Sequence, residues 1–98
     1  MRRAARKDAN HNDVADYLKS LGWSWVDLYQ LGGDVPDGLA GKRLDGKPWC
    51  CLVEIKSPNG KLSKGQQDFA EEWLGPLIVA YGPEDAAQKL LATWRGWP

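Results

Sequence analysis

No stretch of this 98-residue chain is apolar for long enough to cross a bilayer, which takes about 20 consecutive residues. Its opening, MRRAARKDAN, lacks the apolar segment of a secretory leader. Both absences predict an intracellular protein with no membrane partner. Cysteine is scarce: Cys50 and Cys51 stand side by side in an apolar run, where successive side chains of a strand point to opposite faces and cannot easily bridge. They are expected to be reduced core thiols, which rules out a disulfide framework. Histidine occurs once, as His11, placed ahead of the first helical face and expected at the surface or as a cap, not as a general base. Net charge is also missing, since 13 basic residues balance 13 acidic ones. Global charge therefore announces no nucleic-acid partner.

What is present is a soluble globular composition, 43% hydrophobic and 27% charged, in a length that allows one domain, residues 1–98, around one core. The charges are unevenly placed. Arg2, Arg3, Arg6 and Lys7 form a basic N-terminal arm over residues 1–7, and Lys56, Lys61 and Lys64 cluster after the middle of the chain. Such clusters can contact phosphates, and they are equally compatible with solvated surface.

The spacing of Val14, Tyr17, Leu18 and Leu21 predicts a first helix, ended by Gly22. SWVDLYQL reads as a strand broken by GGDVP, DGLAGKRL as a weaker strand, and Asp45-Gly46 as the turn of a hairpin. WCCLVEIK is the strongest strand. Trp49, Cys51, Val53 and Ile55 lie on one face and Cys50, Leu52, Glu54 and Lys56 on the other, apolar on both sides until its end. Ser63 opens a second helix, PLIVAYG is a short buried strand, and Pro83 starts a C-terminal helix that faces Ala86, Ala87, Leu90, Leu91 and Trp94 inward. The order is α-β-β-β-α-β-α: an α/β (α+β) fold with a mixed central sheet flanked by helices. The crossover should lay the last strand parallel to the one before it.

Glu54 and Lys56 project from one face at a strand end, and Asp37 sits in a proline-fixed turn from which it can reach that end if the two strands pair antiparallel. Two converging carboxylates, with the Ile55 backbone carbonyl as a further oxygen, make a hard-cation site for Mg²⁺ or Mn²⁺. A cation there with an ammonium beside it suits phosphodiester hydrolysis. The competing reading is plain: Glu54 and Lys56 as a solvated ion pair at a sheet edge, and Ser63-x-x-Gln66 as a capping box with no chemistry.

Pro36-Asp37 followed by Glu54-Ile55-Lys56 resembles the PD-(D/E)XK nuclease signature, and within it the virus-type replication-repair nuclease (VRR-NUC) family, in its small phage-type stand-alone form. That family carries a glycine-bearing turn with PD-x-x-x-G, an E-x-K strand, and then G-[KR]-L-[ST]-x-x-Q-x-x-[FW]. Here these read Gly33 to Gly41, Val53-Glu54-Ile55-Lys56, and Gly60-Lys61-Leu62-Ser63 with Gln66 and Phe69. The resemblance implies a restriction-endonuclease-like core and a metal-dependent DNA endonuclease selective for branched DNA such as a Holliday junction, working in phage or bacterial cytoplasm. It implies Asp37, Glu54, Lys56 and Gln66 as catalytic residues, and Asp37, Glu54 and the Ile55 carbonyl as metal ligands. Asp13 in the first helix would support the metal through water, with Asn10 one turn earlier. Arg2, Arg3, Arg6, Lys7, Lys61 and Lys64 become DNA contacts. Two features depart from the pattern: Asp34 adds an acid, and Gly38 follows the Pro-Asp, which predicts a looser backbone at Asp37.

Most of the six tryptophans are expected in the core, with Trp94 and Trp97 able to anchor a partner. One domain offers one metal site, so paired incisions in a four-way junction predict a homodimer. The rival function is a catalytically silent module on the same fold that binds DNA or a replication partner.

Overall fold

The computed structural model describes residues 10–98. Three helices and a short 3₁₀ turn surround a four-stranded sheet: α1 His11–Ser20, β1 Ser24–Asp27, the 3₁₀ turn Tyr29–Leu31, β2 Gly38–Leu44, β3 Lys47–Ile55, α2 Lys64–Glu72, β4 Leu77–Ala80 and α3 Pro83–Arg95. The strands lie in the order β1-β2-β3-β4. β1, β2 and β3 pair antiparallel as a meander, and β4 joins β3 in parallel, Leu52 beside Leu77 through Ile55 beside Ala80. This is the mixed sheet that the sequence predicts. The crossover containing α2 supplies the return path that a parallel pair requires.

Local chemistry explains the element ends. Asp45 and Gly46 both have positive φ, 52° and 77°, the backbone of the tight turn whose twist matches the flanking strands. Ser63 Oγ accepts the Gln66 amide at 3.1 Å while Gln66 Oε1 accepts the Ser63 amide at 2.9 Å, closing a capping box on α2. Pro83, whose missing N–H costs nothing in a first turn, begins α3.

The main core lies on the sheet face covered by α1 and α3. Val14, Leu18, Trp23, Ala40, Cys51, Val53, Ile55, Ile78, Ala80, Ala86 and Leu90 are buried there together. α2 covers the opposite face and contributes no buried residue.

Five expectations need correction. SWVDLYQL is a strand only as far as Asp27, because the Leu28 and Tyr29 amides turn inward to the Asp37 carbonyl at 2.8 and 3.1 Å. The buried stripe of α1 is His11, Val14, Ala15 and Leu18, the predicted spacing moved three residues toward the N-terminus, so Leu21 is left exposed beyond the helix end. His11 is accordingly a core residue, 1% exposed, and neither a surface nor a capping group. Cys51 is buried but Cys50 is exposed, both as free thiols, because the face carrying Cys50 is uncovered at that end of β3. Of the tryptophans only Trp23 is fully buried; Trp25, Trp49 and Trp94 are half-buried, and Trp73 and Trp97 are exposed. A core this small has no room for six indoles.

Candidate active site at the end of β3

The register of β2 and β3 ends at Gly38 beside Val53. One residue further, Asp37 reaches the end of β3. Asp37 Oδ2 accepts the Ile55 amide at 2.6 Å, a short, charge-assisted bond that takes the place of one more ladder rung. The Asp37 carbonyl receives both the Leu28 and Tyr29 amides. Asp37 is therefore held by three hydrogen bonds, two at its carbonyl and one at its carboxylate, contrary to the looseness that Gly38 predicts. Gly38 serves packing instead: a Cβ there would overlap the Trp25 indole, which lies against the glycine next to Asp37.

Glu54 is only 4% exposed although its face is thinly covered. It lines a narrow cleft of about 10 Å³ between the sheet and α2, together with Asp34, Pro36, Gln66, Phe69 and Val79. A carboxylate buried against its desolvation cost is the informative kind of burial, and here Asp34 and Gln66 stand among its neighbours. Asp34, given no role by the sequence reading, closes one side of this cleft. A Cβ on Gly65 would overlap its carboxylate, so the glycine in the first turn of α2 is what lets Asp34 approach.

Lys56 follows β3. Its amide donates to the Ala80 carbonyl at 2.9 Å, its own carbonyl accepts Asn10 Nδ2 at 3.1 Å, and its half-buried side chain shares the Glu54 face by alternation. Gln66 reaches the same cleft with Oε1 occupied by the capping box, which leaves its amide NH₂ as the donor.

The structure thus brings Asp37, Glu54, Ile55, Lys56 and Gln66 to one end of the sheet. The donor set is all oxygen, which suits Mg²⁺ held by one or two carboxylates with water completing the shell. Among the described residues no three acidic, histidine or cysteine side chains gather into a metal cage. Asp13, exposed on α1, does not join Asp37 and Glu54 in one. Lys61 is exposed, and Lys64 pairs with Asp68 at 2.5 Å one turn along α2. Arg2, Arg3, Arg6 and Lys7 lie outside the described residues. Among those that are described, no helix is long and apolar enough to cross a membrane.

What the sequence reading missed is the group behind the site. His11 Nε2 lies 2.8 Å from Asp27 Oδ1. Trp25 Nε1 donates to the same oxygen at 2.7 Å, and the rings of Trp25 and Tyr29 meet His11 edge-on. The signal was present: positions 11, 14, 15 and 18 have the i, i+3, i+4, i+7 spacing of a buried face.

Compared with protein-family models, with curated proteins and with solved structures, the chain matches none.

Proposed function

We propose that this protein is a Mg²⁺- or Mn²⁺-dependent endodeoxyribonuclease of the VRR-NUC kind that cuts branched DNA as a homodimer. The observation that carries the reading is the bond from the Ile55 amide to the Asp37 carboxylate, which sets the acid of the Pro-Asp turn beside the Glu54-Ile55-Lys56 strand end. Asp37 and Glu54, with the Ile55 carbonyl, are the residues that would hold the cation. When bound, such an ion neutralises charge on a phosphodiester and makes water a better nucleophile. Lys56 then offsets the negative charge that grows on the phosphoryl oxygens, and the Gln66 amide orients the phosphate or the attacking water. Lys61 and the basic arm add contacts to the DNA backbone. Selectivity for branched DNA and two-fold assembly rest on the family resemblance and on the need for two symmetric incisions.

A second reading has its own support. The Glu54 cleft has only about 10 Å³ of free space, roughly one water, and among the described residues no three acidic, histidine or cysteine side chains gather to hold an ion. Both suit a silent DNA-binding module. Four-way, flap, nicked and linear DNA incubated with Mg²⁺ or Mn²⁺ separate the two. Cleavage of the four-way substrate by wild type, lost in Glu54→Gln, supports the nuclease; binding of all four without cleavage supports the module.

A further inference from the structure

The N-terminal end of α1 makes two unusual commitments. Asn10 occupies the N-cap, yet its side chain does not cap the helix. Nδ2 instead donates across the fold to the carbonyls of Lys56 at 3.1 Å and Tyr81 at 3.2 Å, the residues that directly follow β3 and β4. His11, next in the chain, is buried and meets Asp27 Oδ1. A carboxylate only accepts, so the Nε2 nitrogen carries the hydrogen. His11 Nδ1 is buried with no hydrogen-bond partner among the described residues.

From Asp27 the contacts run straight to the candidate site. Asp27 pairs with Gly38 in the β1–β2 ladder. The next two amides, Leu28 and Tyr29, hold the Asp37 carbonyl, and Asp37 holds the Ile55 amide. We infer that Asn10 and the His11–Asp27 pair are positioning residues for this site: Asn10 sets where Lys56 stands, and His11, through Asp27, sets where the Asp37 carboxylate stands. The inference rests on the nuclease reading for its functional meaning, but its geometry can be tested without it. A buried histidine that only ties a helix to a sheet would stabilise the fold and leave Asp37 in place. A positioning pair alters Asp37 when broken.

The Ile55 amide proton reports on Asp37 directly, because a short bond to a carboxylate moves its resonance downfield. The test compares full-length wild type with Asp27→Ala, with Asp27→Asn, which keeps an accepting oxygen, and with Asn10→Ala, a substitution at a half-buried position. Amide spectra, thermal unfolding, calorimetric Mn²⁺ titration and cleavage kinetics are recorded for each. Asp27→Ala is expected to move the Ile55 resonance upfield and weaken Mn²⁺ binding about tenfold or more, the range for residues that orient metal ligands, and Asp27→Asn to restore both. Asn10→Ala is expected to lower kcat about tenfold through a misplaced ammonium, with KM and Mn²⁺ affinity unchanged. Variants that lose thermal stability while the Ile55 resonance, Mn²⁺ affinity and kcat stay at wild-type values overturn the inference. Wild type that neither binds Mn²⁺ nor cuts DNA overturns the nuclease reading alone, and the Ile55 resonance still decides whether the pair holds Asp37.

Discussion

The two faces of the sheet are built to different standards. On one, α1 and α3 enclose an apolar cluster in which Val14, Leu18, Val53, Ala80 and Leu90 have essentially no exposed surface. On the other, α2 lies over Leu52, Glu54, Leu77 and Val79 without burying any of its own residues, and Phe69 and Trp73 stack on each other at 6.1 Å with the tryptophan exposed. β3 separates them and serves both, sending Cys51, Val53 and Ile55 to the first and Leu52 and Glu54 to the second. Stability is concentrated on the α1/α3 face, and the groups with chemical potential sit on the face whose cover opens at least cost. A carboxylate can be buried beside α2 because that layer is thin enough to admit Gln66 and Asp34 as polar neighbours.

The sharpest way to break this contrast is to cut into each face. Leu18→Ala or Leu90→Ala should lower unfolding free energy by about 2–5 kcal/mol, and Phe69→Ala by clearly less, as urea denaturation would measure. Equal losses would mean that α2 carries as much of the fold as its partners. Lys56→Ala tests the chemical side: kcat should fall by about two orders of magnitude, the scale of losing one charge-stabilising group, with the melting temperature unchanged. Ser63→Ala opens the capping box and should cost about 1 kcal/mol, seen as faster amide exchange in α2 than in α3.

Two pH effects sharpen the picture of the core face. Burial, helped by the neighbouring Cys50 thiol, pushes Cys51 up to about 12 from 9.0, against a hydrogen bond from the Ile78 backbone. The stabilisation tied to that neutral thiol is complete below 9.0 and is lost as pH rises toward 12. Cys51→Val should flatten that alkaline decline in a pH series of melting temperatures. The smallest effect belongs to Asp85. Burial opposes its ionisation, yet the bonds from Lys89 and the Tyr81 amide and the Lys89 charge hold it below the ordinary carboxylate value. Its contribution is present above the ordinary value and fades as pH falls through the lowered one. Asp85→Asn should therefore reduce stability slightly at neutral pH and not at all at the acid end.

Elements whose signal is local were legible in the sequence. The Asp45-Gly46 turn, the capping box, the proline start of α3 and the two-faced apolar run of β3 each follow from a few adjacent residues. So was the arrival of Asp37 at the end of β3, because a meander fixes which strand ends face each other. Hidden were the features set by distant packing. Whether Cys50 or Trp73 is covered depends on where helices stop. The extended look of Leu28 to Leu31 yields to a carbonyl nine residues on, at Asp37. His11 was misplaced because a polar residue was not counted toward an apolar stripe, although its spacing put it there.

The β2–β3 ladder is anchored at its far ends by unrelated devices, the tight turn at Asp45-Gly46 and the Asp37 carboxylate on Ile55. The second needs nothing from the first, since the alignment of Asp37 with Ile55 is also fixed from β1 through Leu28 and Tyr29. The hairpin tip, whose Gly46 has open space around it, is accordingly an engineering port. A fluorescent tag or a tethering peptide spliced between Asp45 and Gly46 would leave the register at Glu54 unaltered, and the protein could be tracked or immobilised with its candidate site intact.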